Sequence, residues 1–300
     1  MRELASARRT AETARTWLFV PGDRPERFEK AAAARPDVVV LDLEDAVAPR
    51  QKDVARQNVM AWLARSPTTC AVRVNAAGTS WHQADLAALG ATGPALVMLP
   101  KADGADVVAG VLDALPHGSA IVALVESASG VLGAADLARA PGVARLAFGS
   151  YDLAAELGVD PDHAPALAAA RSALVLAAAA AGLTGPVDGV TGDVRDAARL
   201  ATDVAAAVAL GFSGKLCIHP SQVARAAAAL APTAEASAWA ERVLAAVAES
   251  GDGVVLVDGR MVDAPVIVRA RRILSATTSP SPSARGLHLA DTRHPERHDS

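Results

Sequence analysis

Aromatic side chains are scarce in this 300-residue chain: four Trp, four Phe and one Tyr make up 3% of it, against 51% hydrophobic residues overall. Its core must therefore be aliphatic, and it is large enough for a single barrel-sized domain. Cysteine is scarce too. Cys70 and Cys217 both lie in apolar runs with no CxxC spacing, which argues against a zinc or dithiol redox centre and reads as two packing residues in a reducing compartment. Charge of one sign is not in excess. A net charge of -4 removes the sequence-wide basic field that nucleic acid or an anionic membrane surface would call for, so an anionic small molecule has to be met by local cations. Long hydrophobic runs are missing: SALVLAAAAAGL at 172–183 is too short to span a bilayer, and TAETARTW rather than an apolar stretch follows Arg8-Arg9. A cytoplasmic protein is the expectation. Neither GxGxxG nor GxxxxGK[ST] occurs, which removes the usual dinucleotide and P-loop signals.

What the chain does have is short aliphatic runs that stop on polar groups: LDLED at 41–45, RVN at 73–75, LPK at 99–101, VES at 125–127 and FGSYD at 148–152. Chemistry-bearing residues at the carboxyl ends of successive strands are how a (β/α)8 barrel assembles an active site. The wider pattern agrees. WLFVPG, VVVLDLED, CAVRVN, LVMLPK, IVALVES, RLAFGS, a weak GPVDGV and KLCIHP read as strands, separated by alanine-rich helical segments such as PERFEKAAAA and QKDVARQNVMAWLA. About eight such units before residue 221 predict a closed (β/α)8 TIM barrel, with an open doubly wound sheet as the alternative. Beyond it, Ser221 and Thr233 are placed to cap helices, VVLVDGRMV reads as a hairpin around Asp258-Gly259, and Asp263 is placed to cap a last helix, APVIVRARRIL. The expected layout is an N-terminal extension at 1–15, the barrel at 16–230, a helix-hairpin-helix region at 231–274 and a disordered tail at 275–300, rich in Ser, Pro, Arg and His.

Side chains alternate along a strand, so Asp42 shares a face with Glu44, Arg73 with Asn75, and Leu124 with Glu126. Charges on the barrel-facing side are tolerable only at its mouth, where water, a metal or a ligand solvates them. That collects Asp42, Glu44, Arg73, Lys101, Glu126 and Asp152. Glu126 and Asp152 close the fifth and sixth strands, roughly 5 Å apart if neighbours. Two oxygen ligands without His or Cys nearby suit Mg2+ retaining several waters. Equally, Asp152 reads as the cap of helix DLAAEL and Glu126 as an ion-pair partner of Lys101. Arg73 fits a substrate carboxylate through its planar fork, or a structural pair with Asp42 or Glu44. His219 in IHPSQ reads as a hydrogen-bonded packing residue, and Asp263 most simply as an N-cap.

Eight strings in order, LFVPGDRPERFEKA, VVVLDLEDAV, RVN, LPK, VESASG, FGSYDL, GFSGKLCIHPSQV and DGRMVDAPV, resemble the citrate lyase β-subunit-like and malyl-CoA lyase family of CoA ester lyases, from about Trp17 to Leu274. The resemblance implies a barrel of the phosphoenolpyruvate/pyruvate type with a C-terminal lid, usually in a homotrimer. It implies that Glu126 and Asp152 bind Mg2+, that Arg73 grips the carboxylate of a keto acid such as oxaloacetate or glyoxylate, and that Asp263 acts at a neighbouring subunit's site. Arg24, Glu44, Asp45 and Lys101 would line or support the same mouth. The implied activity is Mg2+-dependent cleavage or formation of a citryl-, malyl- or citramalyl-type thioester of CoA or an acyl carrier. A hydroxyacyl-CoA thioesterase and a keto-acid- or carrier-binding subunit of a citrate lyase complex are the alternatives. The seventh unit, VDGVTGDVRDAARL, is shorter and less aromatic than the family pattern, which leaves the acyl group open.

Overall fold

Aliphatic runs bounded by Pro, Gly and Asp become eight parallel strands in the computed structural model, which describes residues 4–250 and 255–278. They are β1 (Thr16–Pro21), β2 (Val38–Asp42), β3 (Cys70–Arg73), β4 (Leu96–Leu99), β5 (Ala120–Val125), β6 (Val143–Phe148), β7 (Val187–Asp188) and β8 (Gly214–Cys217). Each pairs with the next, and β8 returns to β1 through Trp17 opposite Leu216, so the barrel is closed and not an open sheet. Helix α1 (Leu4–Thr13) precedes it. The crossovers carry α2 (Phe28–Ala33), α3 (Lys52–Leu63), α4 (His82–Gly90), α5 (Ala105–Asp113), α6 (Ala128–Leu132) with α7 (Ala134–Arg139), α8 (Ser150–Leu157) with α9 (Ala168–Ala180), and α10 (Ala197–Leu210); α11 (Pro220–Leu230) follows β8.

The two faces of the strands build two cores. One set, with Leu18, Leu41, Val72, Leu99, Val125 and Phe148, packs against helical residues such as Val59, Leu86 and Leu137. The other, with Trp17, Val40, Ala71, Met98, Val122 and Ala147, contains no residue of α2 to α11 and fills the barrel. Ala11 and Ala14 belong to this inner set. The segment expected as an extension thus contains a helix with a packing role: its small residues plug the barrel end opposite the strand C-termini. Arg145 ties it in place. Its guanidinium, on a side chain 1% exposed, donates to Ala11 O at 2.8 Å, to Ala14 O, to Gly185 O at 3.0 Å and to Ser213 Oγ at 2.9 Å. Burial pushes its pKa down to about 9, which leaves it a cation at neutral pH.

β7 has only two residues, and charges outside the barrel hold it: Asp188 accepts from Lys215 Nζ at 2.7 Å and from Arg171 Nε at 3.0 Å. At the start of α11, Pro220 takes the first helical position and His219 the cap, its Nδ1 accepting from Ser221 N at 3.2 Å, so Ser221 lies inside the helix and is not its cap. Gln222 reaches back to accept from His219 N at 3.2 Å, completing a capping box.

After Leu230 the chain forms a second compact unit. It comprises α12 (Ala234–Ser250), the antiparallel hairpin of β9 (Val255–Val257) and β10 (Arg260–Val262), and α13 (Ala264–Thr278). Ala240, Val243, Val255, Val257 and Ala270 form its core. Asp258 and Gly259 have φ of 52° and 74°, the two positive values of a type I′ turn. Thr233 Oγ1 accepts from Ala236 N at 3.1 Å and Asp263 Oδ1 from Val266 N at 3.2 Å, so both cap their helices. Helix α13 continues past Leu274; the expected tail from residue 279 onward lies outside the described residues. Among the described residues no helix is long and apolar enough to cross a membrane.

Candidate active site

The carboxyl ends of β2 to β6 bring the polar residues of the mouth together. Asp42 ends β2 and Arg73 ends β3, opposite each other in register. Arg73 donates from Nε to Asp42 Oδ1 at 2.7 Å and from Nη2 to Asp42 Oδ2 at 2.6 Å, a bidentate pair. Its Nη1 lies 2.9 Å from Glu44 Oε2, a close charge contact that lacks hydrogen-bond alignment and leaves that buried oxygen without a donor. The Phe19 ring stacks 4.9 Å from the guanidinium. Burial alone would lower the pKa of Arg73, but Asp42 and Glu44 outweigh it and the net shift is upward. The structural pairing read from the sequence is therefore present. It does not exhaust the residue: of five guanidinium N–H groups, two serve Asp42, one faces Glu44 and two remain.

Lys101 follows β4 with φ of 48°, a left-handed conformation that costs a non-glycine residue energy. That turn lets one residue serve two carboxylates. Its backbone N donates to Glu126 Oε1 at 2.9 Å, while its Nζ donates to Glu44 Oε1 at 2.8 Å and lies 4.0 Å from Asp45 Oδ2. The ammonium thus pairs with Glu44, and only the main chain holds Glu126. Glu126 is 3% exposed. Burial, then Glu44 and Asp152, push its pKa up to about 8. Asp152 sits exposed in the first turn of α8, where Gly149 holds the cap position. A Cβ at Gly149 would stand 2.3 Å from Glu126 Cβ and 2.5 Å from its Oε2, so the glycine makes room for this carboxylate.

Two further groups brace the mouth that sequence reasoning missed. Lys52, 5% exposed, donates to Leu43 O at 2.7 Å and Glu44 O at 2.8 Å. Asp85, fully buried, accepts from Asn75 N at 2.9 Å, Asn75 Nδ2 at 2.6 Å and Arg56 Nε at 2.7 Å, which fixes the loop after β3. The signal was available. Lys52 lies on the α3 face of Ala55, Val59 and Trp62, and Asp85 on the α4 face of His82, Leu86 and Leu89.

Arg24 is exposed after β1, its backbone N donating to Pro21 O at 3.1 Å, and Asp45 is exposed at the rim. His219 is hydrogen-bonded as expected, its Nδ1 2.7 Å from Ser221 Oγ, but it is exposed and caps α11 instead of packing in the core. Asp263 belongs to the second unit and is exposed. Cys217 is buried, with its pKa pushed up to about 12, and burial lifts that of Cys70 to about 11; neither is poised as a nucleophile. A cavity of about 350 Å3 opens between β1, α2 and the end of β8, lined by Phe19, Pro21, Arg27, Lys30, Ile218 and His219.

Asp42, Glu44, Asp45, Glu126 and Asp152 outnumber Arg73, Lys101 and Lys52 at this mouth, and none of these cationic side chains bonds Glu126. A divalent cation fits that imbalance. Among the described residues no three His, Cys, Asp or Glu side chains converge as metal ligands. The residues here that could hold such an ion are Glu126 and Asp152, with water or substrate oxygens in the other positions, the habit of Mg2+.

Known proteins share this arrangement of chain. The family model described as HpcH/HpaI aldolase/citrate lyase matches residues 15–220. A citrate lyase subunit beta-like protein of Mycobacterium tuberculosis is 42% identical over 264 residues, covering 86% of this chain and 93% of its own. A (3S)-malyl-CoA thioesterase of Cereibacter sphaeroides is 36% identical over 272 residues, covering 87% and 93%. The crystal structure of protein CitE from M. tuberculosis in complex with magnesium, acetoacetate and coenzyme A matches with a TM-score of 0.79 at 40% identity, covering 90% of this chain and 100% of that one. With most of both chains aligned and the same closed barrel, this protein belongs to the HpcH/HpaI aldolase/citrate lyase family.

Proposed function

We propose that this protein is a Mg2+-dependent carbon–carbon lyase that cleaves, or in reverse forms, a β-hydroxyacyl thioester of the citryl-, malyl- or citramalyl type. The observation that carries the reading is the uncompensated carboxylate of Glu126, buried beside Asp152 at the barrel mouth with Arg73 on the same rim. When bound there, Mg2+ supplies a Lewis acid and a template for substrate oxygens. Glu126 and Asp152 hold it as carboxylates. The two remaining N–H groups of Arg73 meet the keto-acid carboxylate, while Asp42 and Glu44 keep the guanidinium plane fixed. Lys101 holds Glu126 through its main chain and Glu44 through its ammonium, so both carboxylates keep their directions. Arg27 and Lys30, beside the cavity near Phe19, suit the phosphates of a CoA thioester.

In cleavage the substrate hydroxyl gives its proton to solvent water, the electron pair of the Cα–Cβ bond passes to the α-carbon as that bond breaks, and a keto acid and a thioester enolate result. Asp263 of a partner subunit in a homotrimer then delivers a proton to the enolate carbon, a role that typically contributes roughly 10^2- to 10^4-fold. Arg24 and Asp45 line the same mouth. Likeness to a (3S)-malyl-CoA thioesterase supports a second reading, in which the same site hydrolyses the thioester. Product analysis separates the two. Malyl-CoA cleaved by a lyase gives glyoxylate and acetyl-CoA, whereas hydrolysis gives malate and free CoA; malate as the sole acid would replace the first reading with the second.

A further inference from the structure

We propose that Lys52 is a positioning residue for the keto-acid site, acting through the loop that carries Glu44; this rests on the assignment of Arg73 to the substrate carboxylate. Lys52 breaks two rules at once. It is the first residue of α3, where the helix dipole disfavours a cation, and its side chain is buried, where an ammonium loses hydration. A residue that violates local preference in this way is held by what it bonds. Its Nζ donates to the consecutive carbonyls of Leu43 and Glu44, at 2.7 and 2.8 Å, and lies 5.2 Å from the centre of the Trp81 ring. Acidic groups around it, Asp42, Glu44, Asp45 and Asp85, offset part of the desolvation.

Those two carbonyls bracket the backbone of the residue that faces Arg73. Glu44 N donates to Asp42 Oδ1 at 2.9 Å, and its carboxylate meets Arg73 Nη1 at 2.9 Å and Lys101 Nζ at 2.8 Å. With its carbonyl on Lys52, its N–H on Asp42 and its carboxylate on two cations, Glu44 has one orientation. Lys52 also sets its ammonium against the Trp81 ring of the β3 loop, so it touches the loops on either side of Arg73. Lys52 bonds neither Glu126 nor Asp152 and reaches them only at a remove, through Glu44 and Lys101, so its effect falls first on the carboxylate grip.

Calorimetric titrations of Mg2+ alone, and of oxaloacetate in the presence of Mg2+, into wild type, Lys52→Met, Glu44→Gln and the double variant test this. Lys52→Met should weaken oxaloacetate binding by roughly 10- to 100-fold while Mg2+ affinity stays within about twofold. The double variant should bind about as poorly as Glu44→Gln alone, because both changes act on one grip. Unchanged oxaloacetate binding, parallel loss of Mg2+ and oxaloacetate, or losses that multiply in the double variant would overturn it. Should Lys52→Met not fold, Lys52→Arg keeps the charge but misplaces its donors, and must show the same selective loss. Wild type that binds Mg2+ but no oxaloacetate would instead sink the functional reading on which this rests.

Discussion

A buried carboxyl with a pKa near 8 is mostly protonated at neutral pH, yet a metal ion takes only its anion. Because Glu126 is shifted upward, Mg2+ competes with a proton: its Kd should rise as pH falls below about 8, and each ion bound at pH 7 should displace about one proton from this residue. Calorimetry in buffers of different ionisation enthalpy counts that proton, and none released at pH 7 would contradict the assignment. Arg73→Lys replaces a planar fork by a point charge, so oxaloacetate affinity should drop by roughly 10- to 100-fold with Mg2+ binding intact. The mouth residues were legible because a strand's period of two and its polar end leave few places for a charge. The pairing of each was not: Lys101 chose Glu44 over Glu126, since its left-handed turn directs the main chain to one carboxylate and the side chain to the other. Lys52 escaped because a lysine at a helix start ordinarily reads as solvated.

Among the elements, strands were read with good reason from their aliphatic runs, even β7, whose two residues survive because Asp188 is held by Lys215 and Arg171. Helix α1 was not legible as a packing element, because the apolar positions that recur at helical spacing, Leu4, Ala7, Ala11 and Ala14, sit among polar residues and are mostly alanines, too small to announce a core. Its anchor, Arg145, lies within a strand and looks like an ordinary surface charge in sequence. Arg145→Leu would take a donor from the carbonyls of Ala11, Ala14 and Gly185, of which Ala14 O keeps Trp17 Nε1 at 3.3 Å and Gly185 O keeps Ser213 Oγ at 2.7 Å, and should cost about 2 kcal/mol in chemical denaturation. A loss under about 1 kcal/mol would show that water replaces it. At the other end of the barrel, Gly149→Ala pushes a methyl into Glu126, so Mg2+ affinity should fall by roughly 10- to 100-fold in a protein whose circular dichroism is unchanged.

For the whole molecule, alternation of strands and helices predicted a barrel but not the register by which β8 meets β1, which depends on pairings distant in sequence. The hairpin of the second unit was readable because Asp258-Gly259 accepts two positive φ angles cheaply. How subunits would share a site is not written in periodicity, since an outer helix carries the same stripe toward solvent or a partner. If Asp263 acts across subunits, co-expressing the Glu126→Gln and Asp263→Ala variants, each inactive alone, should restore part of the activity, and no recovery in mixed oligomers would contradict it. The central claim is that Glu126 and Asp152 hold the ion on which carbon–carbon cleavage depends. The most direct test follows acid products from malyl-, citryl- and citramalyl-CoA with Mg2+, with chelator, and with Glu126→Gln: keto acid from at least one thioester, only with Mg2+ and intact Glu126, is the predicted result, and keto acid formed under chelation or by Glu126→Gln would contradict it.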